Sequence, residues 1–351
     1  MIPYVELLDK YSLKAFAMVE PKELWFELSY FEVGECEIYC SATPNNVNNI
    51  KIGHYLKLPN KNYLWVITAL RYEYNAEGSK MIIATGKEAK HIIGYRAILN
   101  PKQLPNTLGG AIGDLIRENI TESGARRIIN FGYGILDTTP IEPMQATRGN
   151  LLEFMLALTK TYDKGFQVNY SIYSPLYFSL IEGQDRSGYI LFSQSMDNLL
   201  SSSYYKTDEE QRTFAQVVSK VEEVDYVETF DKTEDLFIDR KEIVVESNVS
   251  TKYTPEGKTE EVEIAPSDPL YKSWLRTEGK NKLAEHNILE EVEGEIDMMN
   301  SNYEFDRDYN LGDIVKIKDE DFNYEFKVRI LKFTFKQDAK GYGEEVAYGN
   351  I

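Results

Sequence analysis

The chain has 351 residues, 39 Lys and Arg against 57 Asp and Glu, and two cysteines. That length suffices for two or three domains with a full apolar core, and so few cysteines exclude a disulfide-stapled miniature. The formal net charge of −18 has the wrong sign for reading nucleic acid by phosphate neutralisation. Thirteen of the eighteen excess charges fall between Ser201 and Asn300, where 25 acidic residues face 12 basic ones; solvated surface is the ordinary meaning of such a run.

With 25 Tyr and 13% aromatic residues, strands are favoured over long helices. No run of 18 apolar residues occurs, and Glu6 and Asp9 interrupt the stretch a signal peptide would need, so neither a membrane-spanning segment nor export by a signal of its own is expected.

Residues 4–41 read as a strand-rich start, with a hairpin around Glu32-Val33-Gly34-Glu35. Cys36 and Cys40 would share one strand face about 13 Å apart at ~3.3 Å per residue, too far for a disulfide. Thr43-Pro44-Asn45-Asn46 is a turn cluster, and 47–50 one helical turn. Short β-branched and aromatic runs at 52–58, 64–74 and 82–86 then form a meander.

Residues 87–99 read as a short helix stopped by Asn100-Pro101. A second spans about 108–120, with Thr107 as cap and Ile112, Leu115 and Ile116 on one face. A third follows Asn150, which caps it, with Glu153 at the capping-box position; its apolar residues run nearly all round, as for a helix buried against a sheet. Strands resume at 166–172, 176–182 and 188–192, and again over 214–230 and 236–245. Residues 247–267 are polar and turn-rich, an exposed loop; Asp268-Pro269 opens a helix to about His286.

The last forty residues repeat the first meander. Leu311-Gly312-Asp313-Ile314-Val315-Lys316-Ile317 aligns with Ile52-Gly53-His54-Tyr55-Leu56-Lys57-Leu58, 326–335 with 64–74, 339–343 with 76–80, and 346–349 with 82–86. Two distant copies of one unit predict two related β-domains in one chain.

Chemistry finds little support. His54, His91 and His286 are scattered without a helix-spaced partner, which leaves a triad, a metalloprotease helix and a two-His metal site short of parts. Gly109-Gly110-Ala111-Ile112-Gly113 lacks the Lys and the context of a phosphate loop, and no GxSxG elbow occurs. Asp231 to Glu242 places oxygens at positions 1, 3, 5, 9 and 12 of a calcium-hand template, but Leu236 stands where the sharp turn needs Gly and the flanks read as strands. A charged hairpin tip is the expectation there, with cation binding left open. Paired carboxylates for glycoside hydrolysis have no spacing that selects a pair. No catalytic, cofactor-binding or metal residue is assigned, and no cofactor is expected.

The order of several stretches resembles the tail-tip hub proteins of long-tailed siphophages. These are Trp25 through Tyr39 with Tyr30-Phe31-Glu32-Val33-Gly34; Thr43-Pro44-Asn45-Asn46 and Gly53; Tyr95-Arg96-Ala97-Ile98; Ile238-Asp239-Arg240-Lys241-Glu242-Ile243; and Tyr309-Asn310-Leu311-Gly312-Asp313-Ile314-Val315. The resemblance implies a non-enzymatic virion protein: a homotrimer at the distal end of the tail, two β-barrel domains per chain forming a ring of six. Its partners would be tail tube and distal adaptor proteins and host-recognition or fibre proteins, with genomic DNA passing through without specific binding. Many relatives carry further C-terminal cell-wall-cutting or receptor-binding domains; with Ile351 just past the second meander, such activity is expected from another protein. The expected fold is α+β and β-rich, with barrels at 1–100 and at 206–246 with 291–351, and a mixed helix/sheet domain at 101–205 with 247–290. The alternative is a carbohydrate-binding or peptidoglycan-acting cell-wall protein using its tyrosines as a sugar platform.

Overall fold

Alternation of buried and exposed side chains sets the first strands. The computed structural model describes residues 2–75, 77–122, 124–233, 239–296, 301–321 and 323–349. In it β1 (Val5–Leu8), β2 (Ala15–Val19), β3 (Glu23–Ser29) and β4 (Glu35–Ser41) open the chain. β4 turns Cys36, Ile38 and Cys40 into the core, so the two thiols share a face as expected and both are free. Thr43 caps the short α1 (Pro44–Asn49), accepting from the Asn46 N–H at 3.2 Å. The first meander follows as β5 (Tyr55–Lys57), β6 (Leu64–Tyr74) and β7 (Lys80–Glu88).

The helix expected over 87–99 is shorter and tighter. Lys87 and Glu88 stay in β7, Ala89–Tyr95 is a 3-10 helix, and Ala97–Ile98 pairs with Gly149–Asn150. The reason is local: the Glu88 N–H donates to the Gly34 carbonyl at 2.7 Å, which holds Glu88 against the β3–β4 corner, and Gly94 weakens any longer helix. The other helices fall where their caps place them. α2 (Leu108–Ile116) is capped by Thr107, and α3 (Leu151–Thr161) by Asn150, whose side chain accepts from the Leu152 and Glu153 amides. They bury a common core with the sheet of Phe131–Tyr133, Leu176–Ile181 and Gly165–Asn169.

The second half contains β8 (Leu191–Ser193), β9 (Leu199–Thr207), β10 (Leu289–Ile296), β11 (Ile314–Asp319), β12 (Tyr324–Asp338) and β13 (Gly341–Gly349). Between β9 and β10, strands Phe214–Val221, Val224–Asp231 and Glu242–Glu246 form their own sheet against α4 (Pro269–Glu285). Residues 206–246, expected beside the second meander, therefore contribute only the end of β9 to its sheet. The strands that do join are β9 and β10. Neither shows apolar alternation: β9 is Leu199-Leu200-Ser201-Ser202-Ser203-Tyr204-Tyr205-Lys206-Thr207, and β10 is glutamate-rich. β10 becomes a strand through its ladder with β13, a long-range pairing that local patterning does not carry.

β1–β13 make one sheet, ordered β9-β10-β13-β12-β3-β4-β7-β6-β5-β1-β2, with β11 on β12 and β8 on β11. The internal repeat is present at atomic detail. Gly53 and Gly312 both have φ +87°. The Gly53 N–H donates to the Ile67 carbonyl and the Gly312 N–H to that of Ile330, each at 2.8 Å; Ile67 N–H returns to His54 and Ile330 N–H to Asp313, each at 2.9 Å. Both long strands then shift register at once, between Ile67 and Ala69 and between Ile330 and Lys332. β3 and β4 correspond to β9 and β10; a tight corner joins the first pair, and 208–288 fills the same gap in the second. The copies diverge beyond β5 and β11, since β5 pairs antiparallel with β1 and β11 parallel with β8.

The copies meet edge to edge where β12 pairs with β3, Phe333 opposite Leu28 and Phe335 opposite Phe26. All four side chains are buried, Phe305 stacks on Phe333 at 3.7 Å, and Trp65 meets Phe26 edge-on at 4.7 Å. The pairing of the described strands does not by itself close either copy into a barrel within one chain.

The two matched glycines predict different sensitivities. A Cβ on Gly53 would lie 3.4 Å from the flexible Lys10 side chain, whereas one on Gly312 would lie 2.3 Å from the Tyr30 ring. Gly53→Ala is expected to cost about 1 kcal/mol, from backbone conformation alone. Gly312→Ala adds a core clash and is expected to cost on the order of 3 kcal/mol. Urea unfolding of both variants measures the difference.

Candidate functional site

The residue types that could carry chemistry are held in structural roles. His54 Nδ1 lies 3.0 Å from the Asn49 carbonyl with Phe16 edge-on to its ring; His91 packs against Tyr95; His286 ends α4. Burial pushes the Cys36 thiol well above its ordinary value and that of Cys40 up to about 12, which leaves neither as a ready thiolate. Among the described residues no cluster of three His, Cys, Asp or Glu could hold a metal. The core of the acidic stretch at 231–242, residues 234–238, lies outside the described residues. At its ends Arg240 bridges Asp231 at 3.1 Å and Glu242 at 2.6 Å. A cavity of about 410 Å³ beside α4, lined in part by Phe154, Trp274 and Glu278, has no His or Cys in its lining.

The motifs singled out by the sequence converge instead on one buried joint. Tyr30, at the β3–β4 corner, is fully buried, and its N–H donates to the Leu331 carbonyl of β12 at 2.8 Å. Its hydroxyl, with a single proton to share, lies 3.2 Å from the carbonyl oxygen of Asp163 and 3.1 Å from that of Ile181, both in the intervening region. The ring lies so close to Gly312 and Gly165 that a Cβ on either would come within 2.5 Å of it. Arg329 completes the joint: it donates to the Gly312 carbonyl at 2.8 Å, pairs with Asp163 and stands over the Tyr30 ring at 5.5 Å. Gly312-Asp313 is thus a turn that the Tyr30 ring and Arg329 hold in place. Asp313 is buried and accepts from the Gln184 amide at 2.7 Å, the Asn310 amide at 2.9 Å and Arg186 at 2.6 Å.

A second joint lies beneath the same corner. Glu88 and Lys90 are buried together with Nζ 3.3 Å from the carboxylate. Glu88 accepts from the Gly34 amide at 3.1 Å, and Lys90 donates to the carbonyls of Ser29 and, at 3.1 Å, Phe166. Burial pushes the Glu88 carboxyl up and the Lys90 ammonium down, and each opposite charge opposes that shift. These contacts order the chain; they do not point at a substrate.

Strand edges are left unpaired among the described residues of the two copies. β6 pairs with β5 only through Leu64, Trp65 and Val66, so from Leu70 to Tyr74 its second edge has no partner among the described strands. β9 ends the sheet path, and its outer edge has no partner among the described strands. Tyr72 is 55% exposed and Tyr74 68%. Sequence reading placed Tyr72 and Tyr74 on a strand but gave no sign of β9, whose only local signal is the Tyr204-Tyr205 pair after three serines.

This architecture is the fold of phage tail proteins. The tail protein from Neisseria meningitidis MC58 matches with TM-score 0.59 and 10% identity, covering 99% of this chain and 96% of that one. The 43 kDa tail protein of prophage MuSo2 from Shewanella oneidensis matches with TM-score 0.54 and 12% identity, covering 98% of each chain. The prophage tail protein gp18 from Listeria monocytogenes EGD-e gives TM-score 0.54 and 12% identity, covering 99% of this chain and 94% of that one. No curated protein matches the sequence. The family model of the Siphovirus ReqiPepy6 Gp37-like proteins matches residues 5–350, and the chain belongs to that family. The resemblance to siphophage tail proteins read from the sequence is met.

Both joints can be tested by stability. Tyr30→Phe removes a hydroxyl that serves two buried carbonyls and is expected to cost about 1–2 kcal/mol. Lys90→Met strands the buried Glu88 carboxyl and is expected to cost roughly 3–5 kcal/mol, much of it recovered in the Glu88→Gln/Lys90→Met double variant. Chemical denaturation of the three variants checks both expectations.

Proposed function

We propose that the chain is a non-enzymatic structural protein of the virion, a homotrimeric hub at the distal end of a phage tail. It would close or extend the tail tube and connect it, through a distal adaptor, to host-recognition or fibre proteins. The observation that carries this reading is the duplicated unit: Gly53 and Gly312 share φ, hydrogen bonds and the bulge that follows. Three chains with two like units each present six, which is how a three-fold object can continue a six-fold tube. Family membership and the fold support a tail role.

The first ring unit lies within residues 1–100. The second is built from β8 and β9 with 289–349, and 101–190 together with 208–288 forms the mass beside the ring. Barrel-like closure belongs to the assembled ring, since the strands of a single chain leave edges open. Part of the acidic excess between Ser201 and Asn300 would line or rim the channel, where a negative wall would let DNA pass without the contacts of nonspecific binding.

Oligomeric mass tests the proposal. The expected result is a species of three times the 40.5 kDa chain mass, alone or on mixing with tube and adaptor proteins, with six-lobed rings by electron microscopy. A monomer at every concentration that forms no ring with those proteins would overturn it.

A further inference from the structure

Each copy of the repeat offers the same two edges, and only one pair of them is joined within the chain. In the joined pair, the far half of β12 receives β3. Its residues Lys332, Phe333, Thr334, Phe335, Lys336 and Gln337 stand opposite Ser29, Leu28, Glu27, Phe26, Trp25 and Leu24. The unjoined equivalents are the far half of β6 and the outer edge of β9.

The registers fix how those two would meet. In the first copy, Ile67 pairs with Gly86, Gly86 with Cys36 and Cys36 with Phe26. In the second, Ile330 pairs with Tyr348, Tyr348 with Val292 and Val292 with Tyr204. Ile67 and Ile330 are the matched residues before the two bulges, so Tyr204 occupies the place of Phe26. Tyr72, five residues past Ile67, occupies the place of Phe335, five past Ile330.

We propose that the chain assembles with copies of itself by antiparallel pairing of β6 in one copy with β9 in the next, Tyr72 opposite Tyr204. The same register sets Leu70 opposite Lys206, Arg71 opposite Tyr205 and Tyr74 opposite Ser202. This rests on the hub reading and names the contact that would build its ring.

Burial supports the assignment. Phe335 and Phe26, covered within the chain, are 2% and 0% exposed, whereas Tyr72 and Tyr204 at the same places are 55% and 39% exposed. Alternation along β6 fails where the cover is missing: burial is complete from Leu64 to Ile67 and lost from Arg71 to Tyr74. The β6 edge is long, carries exposed aromatics and has no lysine, and the β9 edge carries one lysine, Lys206; such edges invite another strand. The two edges differ from one another, so the contact is head-to-tail and propagates into a ring or filament and not a two-fold dimer. Aromatic residues directly opposite on antiparallel strands stabilise the pairing beyond the ladder itself.

The test is disulfide trapping in the full chain. Opposed residues of an antiparallel pair have Cα atoms about 4.5–5.5 Å apart, within reach of a disulfide. Tyr72→Cys/Tyr204→Cys, oxidised with copper phenanthroline, is expected to give covalent dimers and trimers on non-reducing gels. Each single variant is expected to stop at the dimer or below. Tyr74→Cys/Lys206→Cys, four residues out of register, is expected to give none. Because Tyr72 is exposed in the single chain, Tyr72→Lys is expected to leave the monomer folded by circular dichroism and to abolish the trimer. A trimeric protein in which the 72/204 pair stays unlinked and Tyr72→Lys still assembles overturns this contact while leaving the hub reading standing. Trapping of 74/206 instead overturns the register. A chain that is never more than monomeric, even with tube and adaptor proteins, overturns both.

Discussion

Tyr30 is the side chain on which the other contacts turn. Its backbone belongs to the first copy, its ring fills space that the absent side chains of Gly165 and Gly312 leave open, and its hydroxyl serves the carbonyls of Asp163 and Ile181. A buried phenol with two acceptors cannot slide: displacement would strand polar groups out of water and open a void of aromatic size. It thereby sets the relation between the first copy, the second copy and the helices between them. The Glu88–Lys90 pair repeats the device beneath the same corner, tying a β7 carboxylate to the β3–β4 turn and to Phe166.

That rigidity has a consequence for assembly. A chain whose two sheet copies were loosely hinged would present its open edges at variable angles and could not close a ring of fixed size. Fixing β12 on β3, with four buried aromatic and aliphatic side chains at the seam, holds the two copies in one register. The seam also serves as a template: one protein displays, within itself, the contact it would make with its neighbour. In the proposed ring the duplication would supply the repeat, and the divergence beyond β5 and β11, antiparallel against parallel, would let the two copies face different surroundings.

The legible parts of the sequence were those whose cause is local. Thr107, Asn150 and Asp268 announced their helices because a side-chain oxygen before an amide-rich first turn has one low-energy arrangement. The two meanders were legible because β5–β7 and β11–β13 follow one another through short turns, so alternation, bulge and glycine all sit within a short window. The 87–99 helix was misjudged because its apolar spacing suits a helix while the Glu88 amide is claimed by Gly34, far away in sequence. β9 and β10 escaped notice for the same reason in stronger form: a serine-rich and a glutamate-rich segment have no strand signal until β13 offers β10 a ladder and β10 offers one to β9.

The sequence by itself therefore determined the β-rich class, the starts of α2, α3 and α4 and the internal likeness of the two meanders, each written in a short local pattern. Only the tertiary structure decided which strands complete the second copy, that the copies join through β12 and β3, and which edges are left over. Those depend on pairing between segments far apart in sequence, where register is set by burial of one strand face and not by local preference. Gly312 marks the division well. Its turn could be read from Leu311-Gly312-Asp313, but the reason no other residue fits there, the Tyr30 ring a few ångströms away, exists only in the folded chain.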